Sequence, residues 1–345
     1  MPVHNFRRPQ GRLVEIEIRS SALEGNLLGD PAQRVVAVYL PPGYDDGDRR
    51  YPLFVDLVGF TGSGLSHVGW KAFGESVPQR LDRLVAEGRM GPVVAAFPDC
   101  FTSLGGNQYI DSAATGRWET FLIEEMLPRL EQEFRLLSGR EYRAVFGKSS
   151  GGYGAIVHGL RRADAWGAVA CHSGDMAFDL CYRVDFPKTL GFLAEKGGVG
   201  GFFEAFAAAP KADDEWLHRL EVLAMAATYD PDPLAPMGVR LPLDPETAEI
   251  DPARWAAWLA HDPVVLVGRA DCQANLRSLR GLYLDCGSKD QYHLVYGARA
   301  FARALRAAGI AHRYEEFDDD HTNVDYRMDV SLPFLYEALM GDGGS

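Results

Sequence analysis

The chain has 345 residues, 47% hydrophobic and 24% charged, an ordinary globular composition with ample material for a large core. Its formal net charge of −13 argues against nucleic acid or an anionic membrane surface as a partner. The five cysteines include no C-x-x-C pair and read as reduced thiols, not as a disulfide or zinc framework.

Residues 13–18 alternate apolar and charged side chains, the period-two pattern of a half-exposed strand. Residues 34–40 predict a second strand, stopped by Pro41, Pro42 and Gly43. Residues 52–58 are a nearly continuous apolar run of the kind buried on both faces, and they lead into a glycine-rich loop, 59–64. A helix is predicted over 76–87 and a buried strand over 92–97. The loop 98–111, with Asp99, Gly105, Gly106 and Tyr109, then falls at a sheet edge where it would wall a pocket. Apolar residues at helical spacing predict an amphipathic helix over 117–134.

The next stretch carries the strongest signal. Residues 142–146 form a strand-like apolar run, followed by Gly147, Lys148, Ser149, Ser150 and Gly151 and then a helix-compatible segment to about 162. Strand, tight turn and helix around G-x-S-x-G make a nucleophile elbow, in which a serine hydroxyl stands exposed on a strained turn. Register selects Ser149, because its flanks are Gly147 and Gly151; with Ser150 as the tip, Lys148 would occupy the first glycine slot. The amide of Ser150 then becomes one oxyanion donor at a helix N-terminus. The early glycine-rich loop is where this architecture places the second donor, with the amide of Phe60 as first choice and Thr61 as second.

Residues 166–171 predict a further strand, ending in His172, Ser173, Gly174 and Asp175. From about 175 to 277 the strand–helix rhythm breaks, with helical patches over 215–227 and 252–260. No linker-like composition brackets this segment, so it reads as a cap inserted into one domain spanning 1–345. Rhythm resumes with a strand over 281–286, a turn over 287–290, a helix over 292–308, a strand over 312–317 and a closing helix over 331–340.

Among nine histidines, His321 sits in a loop just after the last strand, where it can reach Ser149 from the C-terminal edge of the sheet. His172 also ends a strand but precedes any supporting acid, which suits it to lining the substrate pocket along with Thr61 and Asp99. Asp290 is the candidate acid that would orient the histidine, with Asp285 and the run from Asp318 to Asp320 as rivals. The order Ser, Asp, His is the one used by α/β-hydrolases.

With these residues in place the chain resembles the esterase family of α/β-hydrolases that includes esterase D (S-formylglutathione hydrolase), feruloyl esterases, siderophore esterases and the antigen 85 mycolyltransferases. The resemblance rests on residues 39–44, on 51–53 leading to Gly59, on the loop around Asp99, on 147–154, on Gly287 with Asp290, and on His321. It implies Ser149, Asp290 and His321 as a triad, with amides near Phe60 and at Ser150 as the oxyanion hole. Two features depart from it: Gly59, Phe60 and Thr61 replace the more usual His-Gly-Gly start of that loop, and the long insertion has no clear match in it.

The expected fold is therefore α/β: a mostly parallel sheet with helices on both faces and a cap. The expected function is serine-dependent hydrolysis of a small-molecule carboxylic ester through an acyl-enzyme. Acyl transfer to an alcohol uses the same groups, and a catalytically silent binding protein on the same scaffold is the alternative outside catalysis. No metal or organic cofactor is implied. The first residues carry no apolar signal-peptide core and no run approaches the roughly 20 apolar residues of a membrane span, so a cytoplasmic setting is expected.

Overall fold

A computed structural model describes residues 4–341. Its framework is an eight-stranded sheet of β1 (Arg12–Arg19), β2 (Gln33–Leu40), β3 (Leu53–Leu57), β4 (Val94–Pro98), β5 (Arg143–Lys148), β6 (Ala168–His172), β7 (Gly281–Gly287) and β8 (Arg313–Phe317). The spatial order is β1-β2-β4-β3-β5-β6-β7-β8. β2 pairs antiparallel with β1 and with β4, and every other pairing is parallel. The C-terminal ends of the parallel strands therefore lie along one edge, and the loops that follow them meet there.

Side-chain alternation along the strands builds a separate core on each face. Phe54, Ala144, Phe146, Ala168, Ala170 and Tyr283 point to one side. There they pack against α1 (Val77–Ala86) and α5 (Met328–Met340). Their neighbours Val55, Leu57, Val145, Val169, Leu282 and Leu284 point to the other. That side is covered by α2 (Ser150–Arg161), α4 (Leu294–Ala307) and the insertion. A sheet buried on both faces explains why the central strands read as continuous apolar runs.

Local chemistry sets several boundaries. α1 opens with a reciprocal cap, in which the Ser76 hydroxyl accepts from the Gln79 amide and the Gln79 side chain accepts from the Ser76 amide. The helix expected over 117–134 is present but widens into π-helical turns over Phe121–Met126. Pro128 has no N–H to offer the ordinary ladder just beyond, and a widened turn accommodates that loss.

The insertion is more regular than its sequence suggested. It holds helices over Phe178–Cys181, Phe186–Lys196, Gly198–Ala208, α3 (Asp214–Tyr229), Pro252–Leu259, Pro263–Leu266 and Ala270–Arg277. The second and third are joined at Gly197, whose φ of 82° ends one helix and starts the next. Glycine-rich stretches such as Gly198–Ala208 have weak helical propensity; burial of Phe202 against Phe192 and Trp216 holds them. Among the described residues, no helix is long and apolar enough to cross a membrane.

Phe146 is fully buried and meets Phe54 edge to face, with ring centroids 6.3 Å apart. Phe146→Ala is expected to lower stability by about 3–5 kcal/mol through lost burial and the cavity left behind, read as a fall in the urea midpoint.

Candidate active site

Ser149 lies between β5 and α2 with φ 59° and ψ −126°, a backbone conformation that costs strain in any residue with a side chain. Close packing makes the turn possible. A Cβ on Gly147 would sit 2.5 Å from the Gly151 carbonyl, and one on Gly151 would run into the Leu57 carbonyl. The elbow thus seats directly on the end of β3, and its glycines answer to neighbouring backbone. The Ser149 amide donates to the His172 carbonyl at 2.9 Å, the last inter-strand bond before the chain turns into α2.

The loop after β3 lies against the same serine: a Cβ on Gly59 would be 3.5 Å from Ser149 Cβ. Phe60 follows, buried, its ring packed over Gly105 and Gly106. Among the described hydrogen bonds the Phe60 amide has no acceptor, and the Ser150 amide opens a helix whose first turn lacks internal acceptors. Thr61 is exposed. Asp99 braces the loop by accepting from Ser63 Oγ at 2.8 Å, with Arg34 3.6 Å away.

Asp290 and His321 meet. His321 Nδ1 lies 2.7 Å from Asp290 Oδ2, and both residues are buried. The other carboxylate oxygen accepts from the Tyr292 amide at 2.9 Å and the Leu294 amide at 3.5 Å, which fixes the carboxylate plane. The His321 amide donates to Gln291 Oε1 at 3.0 Å, and the Tyr292 ring stands edge-on to the imidazole at 4.9 Å. A ring that donates Nδ1–H to a carboxylate leaves Nε2 as the atom able to exchange a proton. The rival acids are committed elsewhere: Asp285 to His172 and Arg327, Asp320 to Thr322, and Asp318 to Lys289.

His172 departs from expectation. Its ring is buried, with Nδ1 2.7 Å from Asp285 Oδ1 and Nε2 2.8 Å from Ser331 Oγ, so it does not line the pocket. The reason is strand parity: Ala168, Ala170 and His172 share the face covered by α5.

Sequence reasoning also missed a polar cluster beside the elbow. Gln108, whose φ is 57°, donates to Asp175 Oδ2 at 2.8 Å and reaches the hydroxyls of Tyr182 at 2.8 Å and Tyr229 at 3.1 Å. Tyr182 donates to the same carboxylate oxygen at 2.9 Å, and Ser150 Oγ lies 3.5 Å from it. Burial pushes the Asp175 carboxyl up, opposed by hydrogen bonds from Gln108 and Tyr182, and through Ser150 the cluster adjoins the elbow. The Glu221 carboxyl on α3 is pushed up to about 8, first by burial and then by the charges of Asp175 and Asp185. An acid placed just after a buried strand was the available signal for Asp175; Tyr182 and Tyr229 arrive from the insertion and had none.

A further ionic contact spans the loops. Asp325, in the segment after His321, pairs with Lys71 from the segment after the glycine-rich loop and lies 3.9 Å from Lys148 of the elbow. Burial acts to raise its pKa, but Lys71, Lys148 and His67 outweigh this and bring it down to about 2. Among the described residues, no group of three or more His, Cys, Asp or Glu is arranged to hold a metal ion.

The strand order, the elbow and the loop-borne acid and histidine define an α/β-hydrolase fold. Solved structures of the same fold include a ferulic acid esterase, 21% identical with a TM-score of 0.63, covering 95% of this chain and 99% of that one. An S-formylglutathione hydrolase from Agrobacterium tumefaciens is 17% identical with a TM-score of 0.58, covering 97% and 98%. Residues 31–331 match the family described as "Putative esterase", and the chain belongs to that family. A protein named esterase from Mycobacterium tuberculosis is 30% identical over 140 residues, 40% of this chain. A xylanase/feruloyl esterase of Xylanibacter ruminicola is 27% identical over 141 residues, also 40% of this chain. The aligned segments make up 28% and 19% of those two relatives, so the chain spans well under two thirds of their length.

Asp325 supplies a pH-dependent part of stability. Its folded value of about 2 lies below the ordinary 3.8, so the stabilisation is fully present above pH 3.8 and is lost as pH falls through about 2. Asp325→Asn is therefore expected to destabilise by about 2 kcal/mol at pH 7, with the gap from the parent closing between about pH 4 and 2 in thermal melts.

Proposed function

We propose that this protein is a serine carboxylic-ester hydrolase acting through an acyl-enzyme, with Ser149 as nucleophile, His321 as base and Asp290 as the group that orients His321. The observation that carries the reading is that a strained, glycine-flanked Ser149 and a buried, hydrogen-bonded Asp290–His321 couple emerge at the same edge of the parallel sheet. A strained main chain is retained where it presents a side chain for use.

In this reading His321 Nε2 takes the Ser149 hydroxyl proton as Oγ bonds to the ester carbonyl carbon. The carbonyl oxygen gains negative charge and is received by the amides of Phe60 and Ser150. Loss of such a donor costs about 3–4 kcal/mol in a comparable serine hydrolase. The imidazolium, stabilised by Asp290, returns its proton to the departing alcohol as the C–O bond breaks. Water then enters, gives a proton to His321 and releases the acid as Ser149 regains its hydrogen. Asp290 keeps the ring in the tautomer with Nδ1 protonated throughout.

The substrate is read as a small-molecule ester, with residues 175–277 as a cap anchored beside the elbow by Tyr182 and Tyr229, which bond to Gln108 and, through Tyr182, to Asp175. A feruloyl esterase and an S-formylglutathione hydrolase are among the similar proteins, which makes formyl and feruloyl esters the first panel to test.

A fluorophosphonate probe is expected to label one serine per chain. Ser149→Ala should abolish labelling and ester turnover, and Ser150→Ala should retain labelling at a reduced rate. Continued labelling of Ser149→Ala would overturn the reading. Asp290→Asn should lower kcat by about 10²-fold or more, since the same change costs about 10⁴ in a serine protease. Asp320→Asn, assayed alongside, should stay near the parent rate.

A further inference from the structure

Beneath the candidate site lies a second chain of serine, histidine and aspartate. Ser331 of α5, His172 at the end of β6 and Asp285 of β7 are joined through both ring nitrogens, at 2.8 and 2.7 Å. The ring stands between them, its Nδ1 against the carboxylate and its Nε2 against the Ser331 hydroxyl. This chain meets no substrate, because Ser331, His172 and Asp285 are all at most 2% exposed.

Its connections give it a use. The second Asp285 oxygen accepts from Arg327 Nε at 2.9 Å and from the Tyr283 hydroxyl at 2.9 Å. Arg327 also donates to that hydroxyl at 2.8 Å and pairs with Glu315 of β8. Arg327 and Asp285 form a buried ion pair; burial alone would raise the Asp285 carboxyl, yet His172 and Arg327 hold it below its ordinary range.

Three strand ends converge on this cluster. The His172 carbonyl receives the Ser149 amide at 2.9 Å, the bond that precedes the strained elbow. The Asp285 carbonyl receives the Ser173 amide at 2.8 Å, and β7 continues from Asp285 into the turn bearing Asp290. Arg327 closes the segment that begins at β8 and carries His321. Strand ends fray unless side chains restrain them. Here one buried clamp restrains the ends that position the nucleophile, the acid and the histidine.

We propose that His172, Asp285 and Arg327 are positioning residues of the active site: their buried ionic cluster holds the Ser149 elbow and the His321 loop in mutual register. The inference rests on the reading of Ser149 and His321 given above. It also gives His172 a role that depends on its being turned away from the pocket.

The test uses the full chain, p-nitrophenyl acetate as substrate and the fluorophosphonate probe. Arg327→Met is expected to lower kcat by about tenfold or more with KM within about twofold, since small misplacements of reacting groups act on the transition state. Fluorophosphonate labelling should slow in proportion. Arg327→Lys, which keeps a donor to Asp285, should recover part of the loss. The measurement is made at a temperature where circular dichroism shows each variant folded. Ser331→Ala, which removes one anchor from the His172 ring and no charge, should lower kcat several-fold at constant KM, and it serves if Arg327→Met does not fold. Unchanged kcat per folded molecule in these variants, with only a lowered melting temperature, would overturn the inference and assign the cluster to stability alone. If Ser149→Ala itself stays active, the functional reading fails instead, and the two failures are told apart.

Discussion

The structure turns on how closely the elbow between β5 and α2 approaches its neighbours. Ser149 holds a positive φ because Gly147 and Gly151 let the turn lie directly on the carbonyl end of β3. That approach brings Gly59 alongside the serine. It also hands the Ser149 amide to the His172 carbonyl at the end of β6. The unfavourable torsion is thus held by packing on both sides and by a ladder bond, as strained residues in folded proteins require.

Parallel topology does the rest. Because β3, β5, β6, β7 and β8 run in one direction, the glycine-rich loop, Ser149, Asp175, Asp290 and His321 emerge at one edge despite their separation in sequence. The two faces of the sheet serve different ends there. One face carries α2 and the insertion, which bring Tyr182 and Tyr229 toward Gln108 and Asp175. The other carries α5 and buries the cluster of Ser331, His172, Asp285 and Arg327 under the strand ends. One set of contacts ties the insertion to the elbow from above, and the other ties the strand ends together from below.

Electrostatics follow the same division. Asp290 is supplied with two backbone donors and the His321 ring, so its carboxylate has a fixed direction. Asp285 is matched by Arg327 and His172, whereas Asp175 has only neutral hydrogen-bond donors in contact, and its carboxyl is correspondingly raised. The contrast between Asp285 and Asp175 comes from their partners, since both are almost wholly removed from water.

Much of this was legible along the chain because it is local. Period-two alternation in residues 13–18, apolar runs in the central strands and the G-x-S-x-G turn each depend on neighbours a few positions apart. They sufficed to predict the α/β framework and to place Ser149 in the turn after a strand; Asp290 and His321, chosen from their loops after later strands, lie 2.7 Å apart. Other features depend on pleat and on distant segments. Whether His172 faces a pocket or the interior follows from which face of β6 it occupies, and α5 lies about 160 residues further on. Gln108, Asp175, Tyr182 and Tyr229 come from a loop, the segment after a strand, a turn and a helix of the insertion, so no spacing rule links them. The helices around Gly197 form because burial of Phe202 overrides the weak propensity of their glycines. The repeating backbone pattern is written in neighbouring residues; which side chains meet across the sheet is settled only when the strands are paired and twisted into place.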